Sequence, residues 1–268
     1  MHRMPLIVFS HANSFPAGTY TVLFDHLRSR GFAVKAVDMF GHDLDYPVTN
    51  NWPHLVRQLH DFAADEVQKT GEPAFLVGHL LGGFLSAMCA ARHPQLARGV
   101  LLLDSPLLGG WKSPALWAAK RTQLVGSISP GAVSRRRKSR WPSKEAAFEH
   151  FRHKKAFARW DPQVLADYIA HGTDDEGGER VLSFDRDIET AIYNTLPDNL
   201  GGLLQRIRCP VAFIGGLQSQ EIQQVGLGLT TKITQGRMTM MDGSHLFPME
   251  RPLATAAAIE AGLLALPS

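Results

Sequence analysis

Short unbroken apolar runs alternate along this chain with longer stretches whose apolar residues recur every three or four positions. The runs Leu6–Phe9, Phe32–Val37, Ala74–Val77 and Val100–Leu103 are bounded by polar or glycine-containing loops, which predicts buried strands. Between them, Tyr20, Leu23, Phe24 and Leu27 recur at helical spacing before Gly31. A second helix is predicted from about Trp52 to Lys69, with Leu55, Val56, Leu59, Phe62, Ala63, Glu66 and Val67 on or beside one face. A third runs from about residue 81 to His93-Pro94. The alternation stops after Asp104: residues 106–206 read as helical segments rich in Trp, Arg and Lys, with no convincing strand. It resumes with strands at Val211–Ile214 and Arg237–Met241 and a closing helix over Pro252–Leu264. Strands alternating with helices predict an α/β fold, a mostly parallel sheet of about six strands with helices on both faces. Residues 1–105 and 207–268 would form the core, and residues 106–206 a helical cap inserted over the strand ends.

Composition changes this picture little. The chain has 268 residues, 44% hydrophobic and 20% charged, with a formal net charge of +3, values typical of a globular protein. Much of the basic excess sits in Arg135-Arg136-Arg137-Lys138-Ser139-Arg140, which reads as a solvated cap face, so no nucleic-acid partner is expected. Cys89 and Cys209 read as buried packing residues, which suggests no disulfide and a reducing compartment. The first apolar run is too short for a signal peptide and no run is long enough to span a membrane, so a cytoplasmic location is expected. The histidines show no metal-ligand spacing; His150 and His153 sit beside Lys154 and Lys155 on what reads as a solvated helix face. No cofactor or metal is expected, and homo-oligomer formation is left open. Trp111, Trp117, Trp141 and Trp160 in the cap suggest a small apolar substrate or ligand.

Chemistry concentrates where strands end. Phe75 to Ser86, FLVGHLLGGFLS, has the build of a strand-to-helix turn of the form G-x-S-x-G, with Gly78 and Gly82 at the glycine positions and Leu80 where the serine would stand. In such an elbow the sharp turn exposes the nucleophile, and the following helix directs N–H groups at a developing oxyanion. Ser10-His11-Ala12-Asn13 follows the first strand, where the N–H of Asn13 or Ala12 would pair with that of Leu81 as oxyanion donors. Asp104 ends the strand after the elbow helix, and His245 lies in a Gly-Ser-His loop after the last strand. Nucleophile position, acid and base thus follow one another in the chain order of this elbow class. A plainer reading stays open for each: His245 as a cap for the closing helix, and Asp104 as a loop-forming carboxylate. His11 and His79 read as packing and hydrogen-bonding residues, and His42 as a loop residue.

On the stretches FSHANSFP, VDMFGHD, LVGHLLGG, VLLLDSP and GSHLFPMERP, the chain resembles the α/β-hydrolase superfamily over nearly its whole length. The resemblance implies that His245 corresponds to the general base, Leu80 to the nucleophile site, and Asn13 and Leu81 to the oxyanion donors. Many members carry the acid after the next-to-last strand. That stretch, Gly215 to Glu221, has no Asp, and Glu221 reads as a turn too late. Other members place the acid where Asp104 stands, so Asp104 is expected to orient His245.

Leu80 divides the functional reading. Leucine has neither an ionisable nor a nucleophilic group, and no neighbouring serine or cysteine takes its place. One reading is a serine hydrolase by descent, acting on small apolar esters or related acyl substrates and inactive as written. The other is a non-catalytic ligand-binding or receptor-like protein that uses the capped pocket, with Leu80 as apolar lining.

Overall fold

Apolar runs without alternation fit strands covered on both faces, and in the computed structural model, which describes residues 4–107, 138–197 and 200–267, the runs beginning at Leu6, Ala74, Val100 and Val211 are buried throughout. In chain order the core opens with β1 (Leu6–Ser10), α1 (Thr21–Ser29), β2 (Ala33–Ala36), α2 (Pro53–Thr70), β3 (Ala74–His79), α3 (Leu81–Arg92) and β4 (Ala97–Leu103). Between β4 and β8, where the cap is expected, come β5 (Arg140–Trp141), α4 (Lys144–Arg152), α5 (Pro162–Gly172), β6 (Thr173–Glu176), β7 (Glu179–Leu182), α6 (Arg186–Asn194) and α7 (Leu200–Leu204). The core resumes with β8 (Val211–Gly216), α8 (Gln220–Val225), α9 (Gly228–Thr234), β9 (Met238–Met241), α10 (Phe247–Glu250) and α11 (Pro252–Leu264).

The main sheet has six strands in the order β2-β1-β3-β4-β8-β9, and every pairing in it is parallel. Successive side chains point to opposite faces. Ile7, Phe9, Phe75, Val77, Leu101 and Leu103 therefore join one core with Leu23, Phe24 and Leu27 of α1 and Ile259 of α11. Leu6, Val8, Leu76, Val100 and Leu102 join the other with Leu55 and Leu59 of α2 and Leu85 and Met88 of α3. The strand order reverses between β1, whose next strand in sequence lies on one side, and β3, which lies on the other. Open α/β sheets place their sites at such a reversal, beyond the carboxyl ends of the strands.

The segment between β4 and β8 departs from the expectation in one respect. Besides its helices it carries a small sheet, β5-β7-β6, whose pairings are antiparallel. Trp111 and Trp117, expected in the cap, and the basic residues Arg135–Arg137 lie outside the described residues. Cys89 is buried and Cys209 half-buried, and both are free thiols. Among the described residues no helix is long and apolar enough to cross a membrane.

Candidate active site

Two glycines let strand, turn and helix cross at the end of β3. A Cβ on Gly78 would lie 2.1 Å from the carbonyl oxygen of Gly82, and one on Gly82 would lie 1.9 Å from that of Ser10. Ser10 pairs with Gly78 in the sheet register, so any side chain at Gly82 would drive α3 away from β1. Between these glycines Leu80 sits at φ +48, ψ −113 as the residue preceding α3. A branched L residue takes up such a conformation only where its surroundings enforce it. Here the Leu80 N–H donates to the carbonyl of Leu103 at 3.0 Å. Ser105 Oγ–H lies 3.0 Å from the Leu80 carbonyl and 2.9 Å from that of Leu103. The half-buried Leu80 side chain packs against the core that contains Phe157, Trp160, Leu246 and Phe247.

His79, the residue before the turn, joins the surrounding loops. A backbone carbonyl only accepts, so the 2.7 Å contact of His79 Nε2 with the carbonyl of His245 places the imidazole proton on Nε2. Nδ1 then accepts from Tyr20 O–H at 2.8 Å, and the Tyr20 oxygen accepts from the Ala12 N–H at 3.0 Å. One buried relay thus ties the loop after β1, the elbow and the loop after β9. His11 works similarly: its Nε2 accepts from the Phe40 N–H at 2.9 Å, and its Nδ1–H donates to the Ala12 carbonyl at 2.8 Å. Burial lowers both histidines, His79 to about 3 and His11 to about 4, so both are neutral at ordinary pH. His42 has a structural part as well, accepting from the Asp185 N–H at Nε2, 2.9 Å away.

The relay corrects one expectation: the Ala12 N–H already has a partner and is no free oxyanion donor. The N–H groups of Asn13 and Leu81 have no acceptor among the described residues. Leu81 opens α3, where the first amides of a helix have no partner within it.

The acid expectation is also corrected. His245 Nδ1 faces Glu221 Oε2 at 3.2 Å. Asp104, buried at the tip of β4, directs its carboxylate elsewhere. Its Oδ1 accepts from the Gly216 N–H at 2.8 Å and its Oδ2 from Ser219 O–H at 2.6 Å. Desolvation raises Asp104 to about 6 despite these bonds. Ser219 in turn caps α8, its Oγ accepting from the Ile222 N–H at 3.2 Å. With the helix starting at Gln220, Glu221 falls in its first turn and reaches back to His245. Sequence spacing alone missed this because it did not anticipate so short a connection after β8; Ser219, a good N-cap residue, was the available signal. With the carboxylate facing Nδ1 at 3.2 Å, a proton on Nδ1 would leave His245 Nε2 with its lone pair, the form a general base needs.

A cleft of about 280 Å³ lined by Met4, Leu6, Ala33 and Lys69 lies at the opposite, amino-terminal ends of the strands and has none of this chemistry. Among the described residues no group of three or more His, Cys, Asp or Glu could hold a metal ion.

The family described as "Alpha/beta hydrolase family" matches residues 7–258. A monoglyceride lipase homolog of Monkeypox virus is 30% identical over 137 residues, 47% of this chain and 47% of that protein. A serine hydrolase-like protein of Dictyostelium discoideum is 24% identical over 273 residues, covering 89% of this chain and 69% of that protein. The match therefore spans about half the length of the viral relative and about two thirds of the other. The crystal structure of an E-2-(acetamidomethylene)succinate hydrolase aligns with a TM-score of 0.73 at 23% identity, over 97% of this chain and 92% of that one. At that identity the likeness is one of fold.

Proposed function

The chain belongs to the alpha/beta hydrolase family, and on that premise we propose that it is a serine hydrolase by descent whose nucleophile has been replaced by Leu80. Its ancestral substrates would be small apolar esters or related acyl compounds. The observation that carries this reading is Leu80 at φ +48 in a glycine-flanked elbow, with His245, which faces Glu221, tied through its backbone carbonyl to His79, the residue before Leu80. In a complete site the hydroxyl oxygen attacks the ester carbonyl while His245 Nε2 takes its proton. The N–H groups of Asn13 and Leu81 receive the charge that develops on the carbonyl oxygen. The imidazolium then protonates the departing alkoxide, and water attacks the acyl-enzyme by the same route in reverse. With leucine no acyl-enzyme forms, and loss of such a nucleophile costs on the order of a million-fold in turnover.

The test is Leu80→Ser. The chain as it stands should hydrolyse short activated esters at the background rate and should not react with a serine-directed phosphonate. The Leu80→Ser variant should label with that probe and turn over the esters, and adding His245→Ala should abolish the gain. A labelled or active Leu80 protein would place the active site elsewhere.

The packing of Leu80 against an aromatic-rich core favours one alternative, a non-catalytic ligand-binding protein with an apolar floor. A folded Leu80→Ser variant that neither labels nor hydrolyses any of a broad ester panel would bring that reading forward.

A further inference from the structure

Beside the loop that carries Asn13, two segments 175 residues apart are fastened together. Asn13 Nδ2–H donates to the backbone carbonyl of Glu189 at 3.1 Å, and Ser14 O–H donates to Glu189 Oε1. Glu189 and Ser14 are each 4% exposed, and Asn13 is 7% exposed. Ser14 stands at φ +81, a conformation that an L residue other than Asn or Asp seldom takes without outside help. Glu189 lies in the first turn of α6, and that helix is itself anchored to the core at both ends. The Asp185 N–H at its start donates to His42 Nε2 at 2.9 Å. At its far end the Thr195 carbonyl accepts from the Asn51 N–H at 3.0 Å, and Thr195 Oγ1 accepts from Trp52 Nε1–H at 3.1 Å. A buried carboxylate is costly to desolvate, and an apolar side chain would serve packing alone at this place. The carboxylate instead holds the hydroxyl of the strained residue next to Asn13.

We propose that Glu189 is a positioning residue, which from α6 fixes the backbone of Asn13-Ser14 so that the Asn13 N–H is held as an oxyanion donor only while α6 is seated. The assignment rests on the reading of Asn13 as such a donor, and it adds a coupling between α6 and the loop. Glu189 touches no reacting atom, and its effect passes through Ser14.

The test has two arms. In the chain as it stands, amide hydrogen exchange compares Glu189→Ala with Glu189→Gln, which keeps the acceptor oxygen. Glu189→Ala should speed exchange in peptides spanning residues 10–20 by about tenfold or more, leaving β3 and α3 unchanged, and Glu189→Gln should restore the protection. In the Leu80→Ser background, Glu189→Ala should lower kcat for a short activated ester by about 10- to 100-fold with KM within about threefold. That is less than the roughly 10²- to 10³-fold cost of deleting a donor outright. Glu189→Gln should recover most of the loss. Unchanged exchange over residues 10–20, or loosening spread equally through β3 and α3, overturns the proposal, as does an unaltered kcat in an active Leu80→Ser protein. An inactive Leu80→Ser protein refutes the hydrolase reading, while the exchange arm still decides whether Glu189 holds the loop. If Glu189→Ala fails to fold, Ser14→Ala breaks the same bond from the other side and is held to the same outcomes.

Discussion

Leu80 occupies a backbone conformation, φ +48 and ψ −113, that costs a branched residue about 1–3 kcal/mol and gives it no chemistry in return. The turn is imposed by its neighbours: the glycines on either side, the Leu103 carbonyl and Ser105. The same logic separates the two carboxylates near His245. In the Leu80→Ser background, Glu221→Ala should lower kcat by at least about a hundredfold, because an unoriented imidazole takes the wrong tautomer. Asp104→Asn should cost less than about tenfold, since it disturbs only the Ser219 cap behind Glu221. Steady-state ester hydrolysis checks both, and the reverse order would return the acid role to Asp104. Residue by residue, the elbow glycines and the place of His245 were legible because each belongs to a local pattern. The acid was not, because its identity depends on which of two carboxylates the fold turns toward the ring. Asp104 is claimed by Gly216 and Ser219, groups more than a hundred residues away in sequence.

Among the elements, the central strands β1, β3, β4 and β8 could be read to within a few residues because burial on both faces makes them almost continuously apolar. The hairpin of β6 and β7 could not. Its first strand, Thr173–Glu176, is exposed after the first residue and has no apolar alternation. The signal it does carry is Gly177-Gly178, both at positive φ, the two-residue turn that suits a tight hairpin. Elements also differ in how closely they approach. Gly82→Ala places a Cβ 1.9 Å from the Ser10 carbonyl oxygen and should destabilise the protein by about 3 kcal/mol or more, at or beyond the top of the usual overpacking range. Gly202→Ala, on α7 with nothing within 4 Å, should instead stabilise by about 0.5–1 kcal/mol through helix propensity. Urea unfolding of the two variants measures both. Comparable stability losses would mean that α3 and β1 have room to part.

At the scale of the whole molecule, the parallel α/β architecture follows from the order of elements, whereas the partners of the buried His11 and His79, legible only as packing and hydrogen-bonding residues, became visible with the fold. These histidines tie stability to pH. Unfolded His11 and His79 take up a proton below about pH 6.5, but folded they resist it down to about 4 and about 3. As pH falls from 6.5 toward 4, each therefore removes about 1.4 kcal/mol of stability per pH unit. Asp104 acts in the opposite sense. Its folded carboxyl keeps a proton up to about pH 6 that the unfolded chain releases near 4, so it favours the folded state by about 1.4 kcal/mol per unit as pH falls across that window. Two histidines against one carboxyl leave a net loss of about 1.4 kcal/mol per unit between pH 6 and 4, and His42, also lowered by burial, adds to it. Urea denaturation from pH 7.5 to 4.5 should show stability falling steadily below pH 6.5. His79→Gln, which retains a donor and an acceptor but cannot titrate, should lower the overall stability yet flatten that slope by about 1.4 kcal/mol per unit. An unaltered slope in the Gln variant would mean that His79 is protonated in the folded state, and the Tyr20–His79–His245 relay as assigned would then be wrong.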